Sequence, residues 1–120
     1  MPNETDGHVV QEAGDDSALL ALLDLIGRRW ALRVVWELRA DRLTYRELAA
    51  RIPEMSTSVL TQRLRDLRAA HLVEHRHGSG YGLAPNGRDL LAQLESMRTW
   101  ASRVGFGVRG PDSRERGVSP

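Results

Sequence analysis

The sequence predicts a mainly α fold carrying one small β-hairpin, arranged as a winged helix-turn-helix. Three observations lead there. Apolar residues recur every three or four positions in successive segments before residue 70 and again beyond residue 87, the spacing of helices with one buried side. Between those runs "LVEHRH" alternates apolar with polar residues, "GSG" offers a turn, and "YGLA" is long enough for a returning strand. In "LTYRELAARIP", Thr44 and Glu47 have the spacing of a capping box and Pro53 closes the segment, so both ends of a short helix are marked.

The elements follow in chain order. "SALLALLDLIG" (17–27) reads as a helix with Ser17 as N-cap and Gly27 as its stop. It is apolar on nearly all sides, which puts it in the core or in a subunit contact. "RWALRVVWELRA" (29–40) is amphipathic through Trp30, Val34, Val35 and Leu38. The third helix turns Leu48 and Ile52 to the core, and Ser56 starts the fourth. After the hairpin, Pro85 sits at the head of a long closing helix. Its stripe is Leu90, Leu94, Met97, Trp100 or Ala101, and Val104. Residues 17–110 thus form one domain, with residues 1–16 as an acidic tail and residues 111–120 as a flexible one.

Composition narrows the function classes. The 120 residues include no cysteine, which removes disulfides, thiolate nucleophiles and cysteine-bound zinc. No apolar run reaches the ~20 residues of a membrane span, and the N-terminus lacks a basic start followed by an apolar stretch. A cytoplasmic protein with no membrane contact is expected. All 17 basic residues are arginine, each a planar fork suited to phosphate and guanine edges. The net charge of +1 conceals an asymmetry. Residues 1–16 hold five acidic residues and no arginine, whereas residues 17–110 hold fifteen arginines against nine acidic residues. A basic body of this kind suits a polyanionic partner.

The fourth helix, "STSVLTQRLRDLR", carries the most chemistry. With Leu60 at the centre of the buried side, Leu64 and Leu67 lie within about 40° of it at 100° per residue. The opposite side carries Ser58, Thr61, Gln62, Arg65 and Ala69, with Thr57 and Arg68 on one shoulder and Arg63 and Asp66 on the other flank. Hydroxyls can bond phosphates or bases, Gln can bridge adenine, and Arg can fork onto guanine, so this face suits a DNA major groove. A solvated arginine-rich face is the alternative.

Other readings are weaker. "HGSGYG" lacks the strand-loop-helix setting and the lysine of a phosphate loop. It is better read as a wing, with Arg76, His77 and Ser79 reaching the nucleic-acid backbone or minor groove. His75 and His77 share one side of a strand, with His71 nearby, yet no further ligand accompanies them, so no metal and no cofactor is expected. Asp24 and Glu37 look like ordinary exposed helix positions. No nucleophile elbow or carboxylate pair is present, so the protein is not expected to be an enzyme.

These residues in series resemble the HxlR-type regulators. "LLDLIGRRWALRVVWEL" carries the Gly27-x-x-Trp30 signature. Tyr45, Leu48, Ile52, Pro53, Ser56, Leu60, Thr61, Arg63, Leu64, Leu67, Leu72 and Val73 follow the family series, and "YGLAPNGRDLL" matches its closing stretch. The resemblance spans about Leu19 to Trp100. It implies a homodimeric winged-helix transcription factor that dimerises through its first and last helices. Such a dimer places two recognition helices in successive major grooves of an inverted repeat in double-stranded DNA. Some members sense oxidants or electrophiles through an N-terminal cysteine, which this sequence lacks. Three departures stand out. His71 takes the helix-ending position usual for Gly, Ala84 replaces a capping Thr, and the wing is short.

The expected DNA-facing residues are therefore Thr57, Ser58, Thr61, Gln62 and Arg65 for bases or nearby phosphates, and Arg46, Arg63, Arg68 and Arg76 for the backbone, with His77 and Ser79 at the wing tip. Trp30, Trp36, Met97 and Trp100 are candidate walls for a small-molecule effector at the dimer interface, although tryptophans more often serve as core. The alternative function is a winged-helix module that binds protein, with residues 1–16 lying over the basic face.

Overall fold

The computed structural model describes residues 16–107; the predicted tails, apart from residue 16, lie outside them. Helix α1 covers 16–26, α2 Ala31–Glu37, α3 Tyr45–Arg51 and α4 Thr57–Ala69. Strands β1 (Val73–Arg76) and β2 (Gly80–Leu83) form the hairpin, and α5 (Pro85–Val104) closes the chain. This is the predicted winged helix-turn-helix order.

Local chemistry explains most boundaries. At α3 the Thr44 hydroxyl accepts from the Glu47 amide at 3.1 Å while the Glu47 carboxylate accepts from the Thr44 amide at 2.9 Å, which completes the capping box. Ser56 accepts from the Val59 amide at 3.2 Å and starts α4. Ala84 offers no side-chain cap to α5, as its methyl group requires, and Pro85 fills the first helical position. Two boundaries differ from expectation. Ser17 lies inside α1 rather than ahead of it. Helix α2 is only seven residues, because Trp30 sits in the left-handed region at φ 77° and the chain leaves the helix at Leu38. A bulky residue is rarely held there, so the α1–α2 connection stores backbone strain.

A seven-residue helix is not stable alone. Helices α2 and α3 persist because Val34, Val35, Leu38, Leu48 and Ile52 are almost fully buried with Leu60, Leu64 and Leu67 of α4. Truncation of one such side chain to Ala costs about 2–5 kcal/mol. Leu72, Val73, Leu83 and Leu90 carry the same core under the hairpin and α5.

The hairpin is antiparallel, pairing Val73 with Leu83 and Arg76 with Gly80. Leu43 adds a third, single-residue rung opposite Tyr81, with hydrogen bonds of 2.9 and 2.7 Å. One residue of pairing leaves no alternating pattern, so the sequence did not show it. Gly87 packs α5 against the hairpin, since a Cβ there would run into the Leu72 carbonyl oxygen.

Helix α1 is buried on one side only. Leu22, Leu25 and Ile26 pack on the core, while Leu19, Leu20 and Leu23 are exposed by 53, 65 and 49%. Met97, Trp100 and Val104 of α5 are exposed as well, as is Phe106 just beyond it. Among the described residues no helix is long and apolar enough to cross a membrane.

Candidate nucleic-acid interface

Helices α3 and α4 form the helix-turn-helix, and one side chain staples them. The Tyr45 hydroxyl, on the first residue of α3, donates to the Thr57 carbonyl at 2.9 Å and lies 2.9 Å from the Thr61 hydroxyl. A phenol has one proton, which the carbonyl takes, so Thr61 must donate to Tyr45. Thr61 is left with acceptor capacity alone. It can face an exocyclic amino group on a base and cannot donate to a phosphate.

Each expected contact residue takes a definite place. Thr57, Ser58, Gln62, Arg65 and Arg68 are exposed along α4, with the Ser58 hydroxyl 3.3 Å from that of Ser56. Arg65 and Arg68 make no ion pair among the described residues. They line a recess of about 180 Å3 with Tyr45, Thr61, Leu64 and Tyr81, where α3, α4 and β2 meet. Arg46 is exposed on the first turn of α3. At the wing, His77 and Ser79 are exposed, and Arg76 leans on Glu74 at 3.3 Å.

Arg63 goes elsewhere. Its Nε donates to the Arg29 carbonyl at 2.9 Å and its Nη1 to Asp66 at 2.8 Å, with little of the side chain exposed. Instead of reaching toward a backbone phosphate it clamps α4 to the α1–α2 connection. Asp66 is the hub of this arrangement. It accepts from Gln62 Nε2 at 2.9 Å and lies 3.1 Å from Arg28, which also pairs with Asp24 at 3.0 Å. The Gln62 hydrogen bond, with Arg28 and Arg63 adding to it against the opposing effect of burial, holds the Asp66 carboxyl below the usual carboxylate range. Gln62 keeps its carbonyl and one N–H for a partner, enough for the two-point contact to adenine.

Tyr45, Asp66 and Tyr81 were not singled out as site residues from sequence. Tyr45 and Tyr81 act where α3, α4 and β2 meet, which no local spacing encodes, and Asp66 gains its Arg28 partner from the α1–α2 connection. Glu37 corrects another expectation. It is only 14% exposed, held by Arg33 at 2.9 Å and Arg51 at 3.5 Å, because α2 and α3 pack where it lies. The described residues, His71, His75 and His77 among them, contain no group of three or more metal-binding side chains. His75 instead packs on Tyr81 with ring centroids 4.6 Å apart. The four candidate effector-pocket residues are dispersed. Trp30 is half-buried beneath Arg29, Trp36 stacks under the Arg39 guanidinium at 4.0 Å, and Met97 and Trp100 are exposed on α5.

This arrangement is found in known proteins. A profile of HxlR-like helix-turn-helix proteins matches residues 25–106. The chain belongs to the HxlR-like helix-turn-helix family. That places it among transcriptional regulators of the helix-turn-helix type. An uncharacterised regulator of this type, YdzF of Bacillus subtilis, is 28% identical over 90 residues, which cover 69% of this chain and 83% of YdzF. A second, from Methanothermobacter thermautotrophicus, is 25% identical over 108 residues and 82% of each chain. Quinone-bound YodB from B. subtilis superposes with a TM-score of 0.68 at 27% identity, across 72% of this chain and 96% of YodB.

Proposed function

We propose that this HxlR-like protein is a homodimeric regulator that reads a specific sequence in double-stranded DNA through α4. The observation that carries the reading is the outward face of α4. There Thr57, Ser58, Gln62 and Arg65 stand exposed, and Arg65 and Arg68 have no carboxylate to neutralise them among the described residues. In this reading Gln62 and Arg65 contact base edges, Thr61 accepts from a base, and Thr57 and Ser58 meet bases or nearby phosphates. Arg46, Arg68, Arg76, His77 and Ser79 meet the backbone. Arg63 holds α4 in place.

The exposed leucines of α1 and the exposed Met97, Trp100 and Val104 of α5 supply the dimer contact. Two-fold symmetry then calls for an inverted repeat with half-sites about one helical turn, roughly 34–36 Å, apart. The solved YodB carries a quinone. With no cysteine in the sequence, an effector of this protein binds without a thiol adduct, at the dimer interface beside Met97 and Trp100.

Duplex binding by wild type and Arg65→Ala tests the assignment. Loss of one forked Arg–guanine contact weakens binding to the preferred duplex by about 1–3 kcal/mol, and wild-type affinity falls steeply with salt. Unchanged affinity of Arg65→Ala for that duplex would show that another surface does the reading.

A further inference from the structure

The back of the wing presents a second basic site, separate from the recess beside α4 and sharing only Arg76 with the proposed DNA contacts. In the hairpin Val73 and Leu83 turn to the core, and His75 and Tyr81 share their side. Glu74 and Arg76 therefore point the other way, and their cross-strand partners there are Gly82 and Gly80. Two glycines opposite two charged residues leave a trough. Arg42 lies in it, so close that a Cβ on Gly82 would be 2.6 Å from Arg42 Nη1. It donates from Nη1 to Glu74 at 3.1 Å and from Nη2 to the Gly80 carbonyl at 2.9 Å, while its buried Nε has no partner. Arg76 leans on the same Glu74 oxygen at 3.3 Å. Leu83 at the end of β2, with Pro85 and Arg88 from the first turn of α5, completes the recess, whose volume is about 390 Å3.

The recess is short of negative charge. One carboxylate serves two arginines, and the third, Arg88, has no ion pair among the described residues. Guanidinium forks match the oxygens of phosphate and carboxylate groups in two-point contacts. The volume lies at the small end of ligand sites, roughly 300–1,000 Å3. We infer that the recess formed by Arg42, Arg76 and Arg88 between the wing and the head of α5 binds a small, multiply charged oxyanion of the phosphate or pyrophosphate kind. Such an anion draws on the two arginines that lean on Glu74, and Arg42 also ties the hairpin to the segment before α3, so its binding is felt by the wing.

Titrating the full chain with inorganic pyrophosphate, without DNA and at fixed ionic strength, tests this. The expected result is one saturable site per protomer, weakened at least tenfold by Arg88→Ala and unchanged by Arg103→Ala. Arg103 lies fifteen residues further along α5, roughly 22 Å away at 1.5 Å per residue. Amide resonances of Glu74 and Gly82 should shift on binding. Absence of a saturable site, or equal weakening by the two variants, would overturn the inference. So would stoichiometric displacement of pyrophosphate by duplex together with an Arg88→Ala defect in duplex binding, which would make the recess a seat for the DNA backbone. The titration contains no DNA, so its failure leaves the α4 reading intact, and failure of DNA binding leaves this site intact.

Discussion

At the scale of single residues, His71 ends α4 and Asp66 ties it to the α1–α2 connection. His71 stands where a left-handed helix end favours glycine, and it has φ 61°. Its amide bonds the Arg68 carbonyl and the Leu72 amide bonds the Leu67 carbonyl, both at 2.9 Å, which closes α4 as a Schellman motif. A non-glycine side chain is strained in that left-handed conformation. His71→Gly relieves that strain, and urea unfolding should show a gain of up to about 1 kcal/mol. Asp66 was legible only as a flank position: Gln62 and Arg63 meet it at helical spacing within α4, but Arg28 reaches it through tertiary packing. Its folded carboxyl titrates below the unfolded value of about 3.9. The stability it contributes is thus complete above that value and drains away as pH falls through the lower folded one. Urea unfolding should therefore show wild type well above Asp66→Asn at pH 7, with the gap closing below about pH 4. A gap that stayed constant with pH would remove Asp66 from that role.

At the scale of elements, helices with capping boxes, prolines and regular apolar stripes were readable, and junctions were not. The capping box of α3 and the Ser56 start of α4 follow from residues three apart. The Leu43–Tyr81 rung, the Tyr45 staple and the inward turn of Arg63 arise from segments far apart in the chain, which leave no periodic mark. Tyr45→Phe tests the staple. It removes the donor to Thr57 and the acceptor for Thr61, and thermal unfolding should reveal a loss of about 1–2 kcal/mol. Freed of Tyr45, Thr61 regains a proton to donate, so the selected base at one operator position should change as well. The missing cap of α5 gives an opposite case. Ala84→Thr places a hydroxyl where none caps the helix and should stabilise it by about 1 kcal/mol, read by the same unfolding experiment.

At the scale of the whole molecule, the fold and family follow from the order of elements, while the partner follows from what the fold leaves uncovered. An all-round apolar α1 was legible, but whether it entered the core or met a second copy depended on how much of it the other helices cover. They cover one side only, leaving Leu19, Leu20 and Leu23 in the open. Leu20→Glu and Leu23→Glu together should leave the fold intact and give a monomer by sedimentation equilibrium, with weakened duplex binding. The central claim is that two copies of α4 read DNA together. Selection of bound duplexes from a random pool measures it most directly. The account predicts an enriched inverted repeat with half-site centres about one helical turn apart, roughly 10–10.5 base pairs, whose binding collapses when five base pairs are inserted between the halves. Recovery of no common sequence, or of a repeat indifferent to that insertion, would contradict it.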